Sequence, residues 1–204
     1  MSHRKNVKKS TWLSRLENTH PFVMMLYVSM LGIGGVFFFL VLSFATSQIS
    51  FKLSAYPKAF LVSTPLLLAC SWALERAKHF FALEDLKSLF KMLLISTLFA
   101  LAFMVSQFLG WGELQLYGIG FRGLAAGSYL YLISGLHLLH VLAGFIFLVY
   151  FLIQTRRRYN DSVKILIAIT NPFEKTKLDL LALYWHFMDF LWIVLALFFL
   201  YFFI

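Results

Sequence analysis

Five long apolar stretches, each bounded by charged or polar residues, dominate the chain. Four of them, residues 22–44, 89–109, 127–153 and 178–203, reach or approach the roughly 20 residues that carry an α-helix across about 30 Å of hydrocarbon. The fifth, residues 56–74, contains Pro65 but is still long enough to span. The pattern predicts an all-α polytopic membrane protein, a bundle of five transmembrane helices. Asn18-Thr19-His20-Pro21 supplies capping side chains and then a proline near the first helical position, where its missing N–H costs nothing. Gly110-Trp111-Gly112 is expected to end the third helix, and Asn171–Lys177 to lie in a long loop before the fifth. Residues 165–169 are too few to cross and are expected at the interface.

Composition agrees with the pattern. Hydrophobic residues make up 61% of the 204 and charged ones 13%, which leaves too little polar surface for a water-facing shell. A soluble enzyme, a nucleic-acid binder and a disulfide scaffold are excluded, the last also by the single cysteine, Cys70. The net charge of +9 is explained by topology. Threaded alternately, the five spans leave 15 of the 18 Lys and Arg on the side of the N-terminus. Only Lys52, Lys58 and Arg122 fall on the other. Cytoplasmic loops hold such an excess, so the N-terminus is expected inside and the C-terminus outside. Residues 1–21 then form a basic cytoplasmic segment ahead of one membrane domain, 22–204. The first run is too long for the apolar region of a signal peptide and reads as a retained helix.

Polar groups at membrane depth are costly and mark where function is to be sought. His137 and His140 share one face of the fourth helix, and Trp185, His186, Asp189 and Trp192 form a stripe along the fifth. Counted from their points of entry, His137 and Asp189 lie about 15 Å deep from opposite sides, so a His–Asp pair across the seam of helices four and five is geometrically allowed. Several roles are open for these residues: a structural hydrogen-bond clamp, a haem held by His186 with His137 or His140, a copper or zinc site, and lipid head-group or proton handling. Gly32 and Gly35 suggest a close-packing face on the first helix. Glu75, Arg156, Arg157 and Arg158 are candidates for lipid head groups, Glu75 also for a partner's cation. Nothing in the pattern marks a catalytic residue or a resident metal site. A small transporter is disfavoured, since there is no repeat and no pair of interrupted helices.

Gly135-Leu136-His137-Leu138-Leu139-His140-Val141-Leu142-Ala143-Gly144 resembles the G-x-H-x-x-H-V-x-x-G run of subunit III of haem–copper terminal oxidases. Tyr184-Trp185-His186-Phe187-Met188-Asp189-Phe190-Leu191-Trp192 resembles that family's Y-W-H-F-x-D-x-x-W signature, in the same order and each in the expected helix. Weaker echoes are Ser63–Ser71, Gln107 with Trp111, and Gly127-Ser128. The resemblance implies a redox-silent subunit without haem or copper of its own. Such a subunit packs against the catalytic subunit I that holds those centres, alone or within a larger respiratory supercomplex. It holds phospholipid between its helices and supports stability and proton uptake during oxygen reduction. Five spans resemble the bacterial form, in a cytoplasmic membrane, with cytochrome c as the default electron donor. The chain departs from the family where many relatives carry a Ser-Glu pair in the first of these helices; here Ser29-Met30 stands, and 22–44 holds no acid. Gly110 replaces a glutamate near the end of helix three, with Glu113 close by, and Asp179 replaces one before the last helix.

Overall fold

A computed structural model of the chain describes residues 21–46, 58–121, 125–158 and 170–203. Residues 1–20 of the basic segment, Lys52, Arg122, Lys164 and the stretch 165–169 lie outside the described residues. Five helices follow one another: α1 (Pro21–Thr46), α2 (Lys58–Ala82), α3 (Leu86–Leu116), α4 (Ala125–Arg158) and α5 (Pro172–Phe203). Each is long and apolar enough to cross a membrane. There is no strand among the described residues.

Each helix runs past its apolar stretch at one end or both, and cap chemistry rather than hydropathy sets the ends of α3 and the start of α5. α1 is described from Pro21, and its expected capping residues, 18–20, lie outside the described residues. The Asp85 carboxylate accepts from the amides of Lys87 and Ser88, both at 3.1 Å, and starts α3. α3 then continues through Gly110-Trp111-Gly112, contrary to expectation, and stops only where Gly118 turns left-handed at φ 76°. The supposed loop Asn171–Lys177 is likewise helical from Pro172 onward. Asn171 Oδ1 accepts from the Phe173 amide at 3.0 Å, and the proline occupies the first helical position.

α2 and α3 form the most extensively packed hairpin, α4 covers α3, and α5 closes the bundle against α2 and α4. Trp192 fills the centre, with Phe60 and Phe103 presenting ring edges at 5.9 and 5.3 Å between centroids. Two glycines set the closest approaches. A Cβ on Gly110 would stand 2.4 Å from the Phe60 ring, and one on Gly144 2.8 Å from the Tyr184 ring. Gly32 and Gly35 do not do this: nothing among the described residues comes within 4 Å of a Cβ at either. Their face of α1 points away from the bundle. α1 as a whole leans on α4 and α5 and buries only Phe37 and Phe44. Glu113 Oε2 accepts from the Ala59 amide at 3.4 Å, capping the start of α2 from the end of α3.

Candidate functional site

Most polar side chains at membrane depth lie on two seams. Along α2 and α5 they form a ladder. At the helix ends Lys78 Nζ stands 3.6 Å from Asp179 Oδ1 and 3.1 Å from Glu75 Oε1. The other partner of Glu75 Oε1 is His186 Nε2, at 2.9 Å. The imidazole's second nitrogen lies 3.9 Å from Asp189 Oδ2. Asp189 is buried beside Ser71, but its Oδ1 and the Ser71 hydroxyl close no hydrogen bond among the described residues. At the deepest rung Trp192 Nε1 donates to Thr64 Oγ1 at 3.2 Å. The three- and four-residue spacing of Asp189 and Trp192 from their predecessors places them on one face of α5. Thr64, Ser71 and Glu75, seven and four residues apart, share one face of α2.

The second seam joins α4 to α3 and α5. His137 is fully buried, and its ring lies over the Trp192 indole at 5.1 Å and 29°. Phe37 and Phe103 close on it edge-on, at 6.3 and 6.0 Å. Neither ring nitrogen has a hydrogen-bond partner among the described residues, and the buried Gln107 amide and Trp185 Nε1 are in the same condition. His140 turns back to its own helix, its Nδ1 2.7 Å from the Leu136 carbonyl. The Tyr184 hydroxyl donates to the His140 carbonyl at 2.8 Å, over the space that Gly144 leaves. Trp111 Nε1 donates to Ser134 Oγ at 3.0 Å and ties α3 to α4.

At the charged end of the bundle, Glu174 is buried between two cations. Arg158 Nη2 and Lys177 Nζ reach its Oε1 at 3.0 and 2.8 Å. Lys177 also borders a groove of about 570 Å³ between α1, α4 and α5, lined by Phe22, Ser29, Ala143, Phe173 and Tyr184 among others.

Comparison with known proteins places this architecture. The family model for cytochrome c oxidase subunit III matches residues 55–204. The chain belongs to the cytochrome c oxidase subunit III family. It is 29% identical over 132 residues to a probable cytochrome c oxidase subunit 3 of Mycobacterium tuberculosis, covering 65% of this chain and 60% of the relative. The protein of the same description from Mycobacterium leprae is equally similar, with the same coverage. That of Nocardia farcinica is 28% identical over 130 residues, covering 64% of this chain and 59% of its own. The chain thus spans about six tenths of the length of the curated relatives it matches. The matched region contains both signature runs and all of α2 to α5.

In this member of the subunit III family the signature residues are arranged differently from the pairing the sequence suggests. His137 and Asp189 do not meet across α4 and α5. Asp189 and His186 turn to α2, and His137 is enclosed by aromatic rings. His186 is not buried either; its side chain is 46% exposed on the outer α2–α5 face. As to the bis-histidine haem alternative, His186 turns outward to Glu75 while His137 stacks inside on Trp192, so these two imidazoles do not face one another; His140 is turned to the Leu136 carbonyl of its own helix. No three His, Cys, Asp or Glu side chains are grouped to hold a metal among the described residues. Trp185 and Trp192 are buried packing residues. Of the head-group candidates, Glu75 is bound by His186 and Lys78, Arg158 by Glu174, and Arg156 lies over the Phe90 ring at 5.3 Å. Arg157 is exposed. Sequence reasoning gave no role to Glu174, and it named Thr64, Ser71 and Glu113 only as family echoes, without the contacts they make. Their only advance signal is a polar atom at helical spacing within a span or at its end.

Proposed function

We propose that the chain works as the non-catalytic subunit III of a respiratory haem–copper oxidase in a bacterial cytoplasmic membrane. Its partner is the catalytic subunit that holds haem and copper, within the oxidase alone or a larger respiratory assembly, and cytochrome c is the electron donor. Residues 1–21 lie on the cytoplasmic side as a basic segment, and 22–204 form the membrane domain.

One observation carries this reading: the signature side chains are turned to the helices of the same chain or enclosed by rings, as expected of a subunit whose polar groups serve packing. Asp189, His186 and Glu75 link α5 to α2, and His137 fills a cage of Trp192, Phe37 and Phe103. What such a chain supplies is a shaped surface and a lipid site. The groove between α1, α4 and α5 has the volume and apolar walls for acyl chain, with Lys177 at its rim near the charged ends of the helices, where a phosphate would lie.

Affinity purification of the tagged chain in mild detergent tests the assignment. It should bring down a haem- and copper-containing subunit with oxygen-reducing activity, while the chain itself shows no Soret band. Asp189→Leu should loosen α5 from α2, lower the amount of chain retained in the solubilised complex, and hasten inactivation during turnover. Full retention with an unchanged turnover lifetime would remove the α2–α5 ladder from the account.

A further inference from the structure

The α2–α5 ladder has a direction. Its ionisable groups step inward from the charged end of the bundle: Asp179 and Lys78 are 3.6 Å apart, Lys78 and Glu75 3.1 Å, Glu75 and His186 2.9 Å, and His186 and Asp189 3.9 Å. Asp179 and Asp189 are ten residues apart on α5, about 15 Å along its axis. The two ends of the series differ in surroundings. Glu75 is half exposed and tied to Lys78, whose ammonium also meets Asp179 at the helix ends, so its carboxyl is within reach of water. Asp189 is buried. Around it α2 presents the Ser71 hydroxyl and the Cys70 thiol, the latter held by Ser96 of α3, and α5 presents His186. No Lys or Arg among the described residues pairs with it.

An imidazole can take a proton on one nitrogen and release one from the other. His186 is placed for that, with Nε2 on Glu75 and Nδ1 toward Asp189, and its protonated form is flanked by a carboxyl group on each side. The step to Asp189 is longer than a hydrogen bond. Rotation of the Asp189 carboxyl shortens it, and nothing among the described residues holds Oδ1 against that rotation.

We infer that Glu75 and His186 form a proton relay through which the buried Asp189 carboxyl exchanges its proton with water at the charged end of the bundle. In one passage the Glu75 O–H breaks as His186 Nε2–H forms, and His186 Nδ1–H breaks as Asp189 Oδ2–H forms. Glu75 is left ionised and takes its next proton from water. Reorientation of the half-exposed imidazole readies it for the next passage. The relay lies wholly within this chain and does not depend on which oxidase the chain serves.

The test is made in the purified membrane complex. Infrared difference spectroscopy of wild type against Asp189→Asn isolates the Asp189 carboxylic acid band, and in heavy water that band should shift promptly as its proton is replaced. His186→Gln keeps a polar side chain between Glu75 and Asp189 but offers no imidazole to pass a proton. It should slow the shift several-fold while the chain stays in the complex, and Glu75→Gln should do the same. A ladder that only holds helices together leaves the exchange rate unmoved in both variants, and that result would overturn the relay. So would the absence of an Asp189-dependent acid band at every pH at which the complex is intact. If both variants are lost from the complex, wild type decides in vesicles. The band should then titrate with the pH on the Lys78 side of the membrane and not with that on the other; any other response would overturn the inference.

Discussion

Two glycines that look alike in the sequence do opposite work. Gly110 admits the Phe60 ring to the α2–α3 contact, and that ring supports Trp192 edge-on. Gly32 meets nothing among the described residues. Gly110→Ala should therefore cost about 1–3 kcal/mol through overpacking, seen as a lowered temperature of thermal aggregation, whereas Gly32→Ala should leave it unchanged. Gly32 and Gly35 suggested the close-packing role, and within the described residues Gly110 and Gly144 take it. The reason is physical: a glycine is needed where a particular ring on another helix presses in, and one helix's spacing does not say which ring that is. The same limit hid the partner of Asp189. Period 3.6 correctly grouped Trp185, His186, Asp189 and Trp192 along α5, but which helix faces that stripe depends on tertiary packing.

Helix ends depend on local hydrogen bonding. Apolar runs located all five helices because the cost of exposing backbone in hydrocarbon dictates helix wherever a run is long enough. They were silent on the polar turns beyond. Pro172 to Lys177 is charged and still helical, since Asn171 caps it and Glu174 stands in the first turn, favourable to the helix dipole. The cap of α3 has a pH signature. Hydrogen bonds from the Ser88 hydroxyl and from the Ser88 and Lys87 amides hold the Asp85 carboxyl below the usual carboxylate range. A carboxyl depressed in the folded state stabilises it above its unfolded value and loses that contribution as the pH falls through the folded value. Thermal stability of the purified chain in its complex should drop on acidification below the ordinary aspartate range. Asp85→Asn keeps a capping oxygen and should flatten that part of the profile.

At the scale of the whole molecule, the distribution of charge and the arrangement of helices make a joint statement. The Lys and Arg of the described residues, Lys58 excepted, gather at the ends where α2 meets α3 and α4 approaches α5, the end that also holds Glu174. The excess of Lys and Arg predicts the cytoplasm on that side, and on that expectation a cysteine at Glu84 should react with an impermeant thiol reagent only from the cytoplasmic face, and one at Gly120 only from the outside. Native Cys70 is buried and adds no background. Labelling of both from one side would reverse or refute the topology.

α1 shares little of the common core: Phe37 and Phe44 are its only buried side chains, and the hairpin of α2 and α3 is packed without it. A segment so lightly attached is exchangeable in evolution. Ancestral loss, duplication or replacement of this one crossing would reshape a single wall of the apolar groove, while the four-helix remainder kept its interior. Natural variation in helix number should accordingly accumulate at this edge of the bundle.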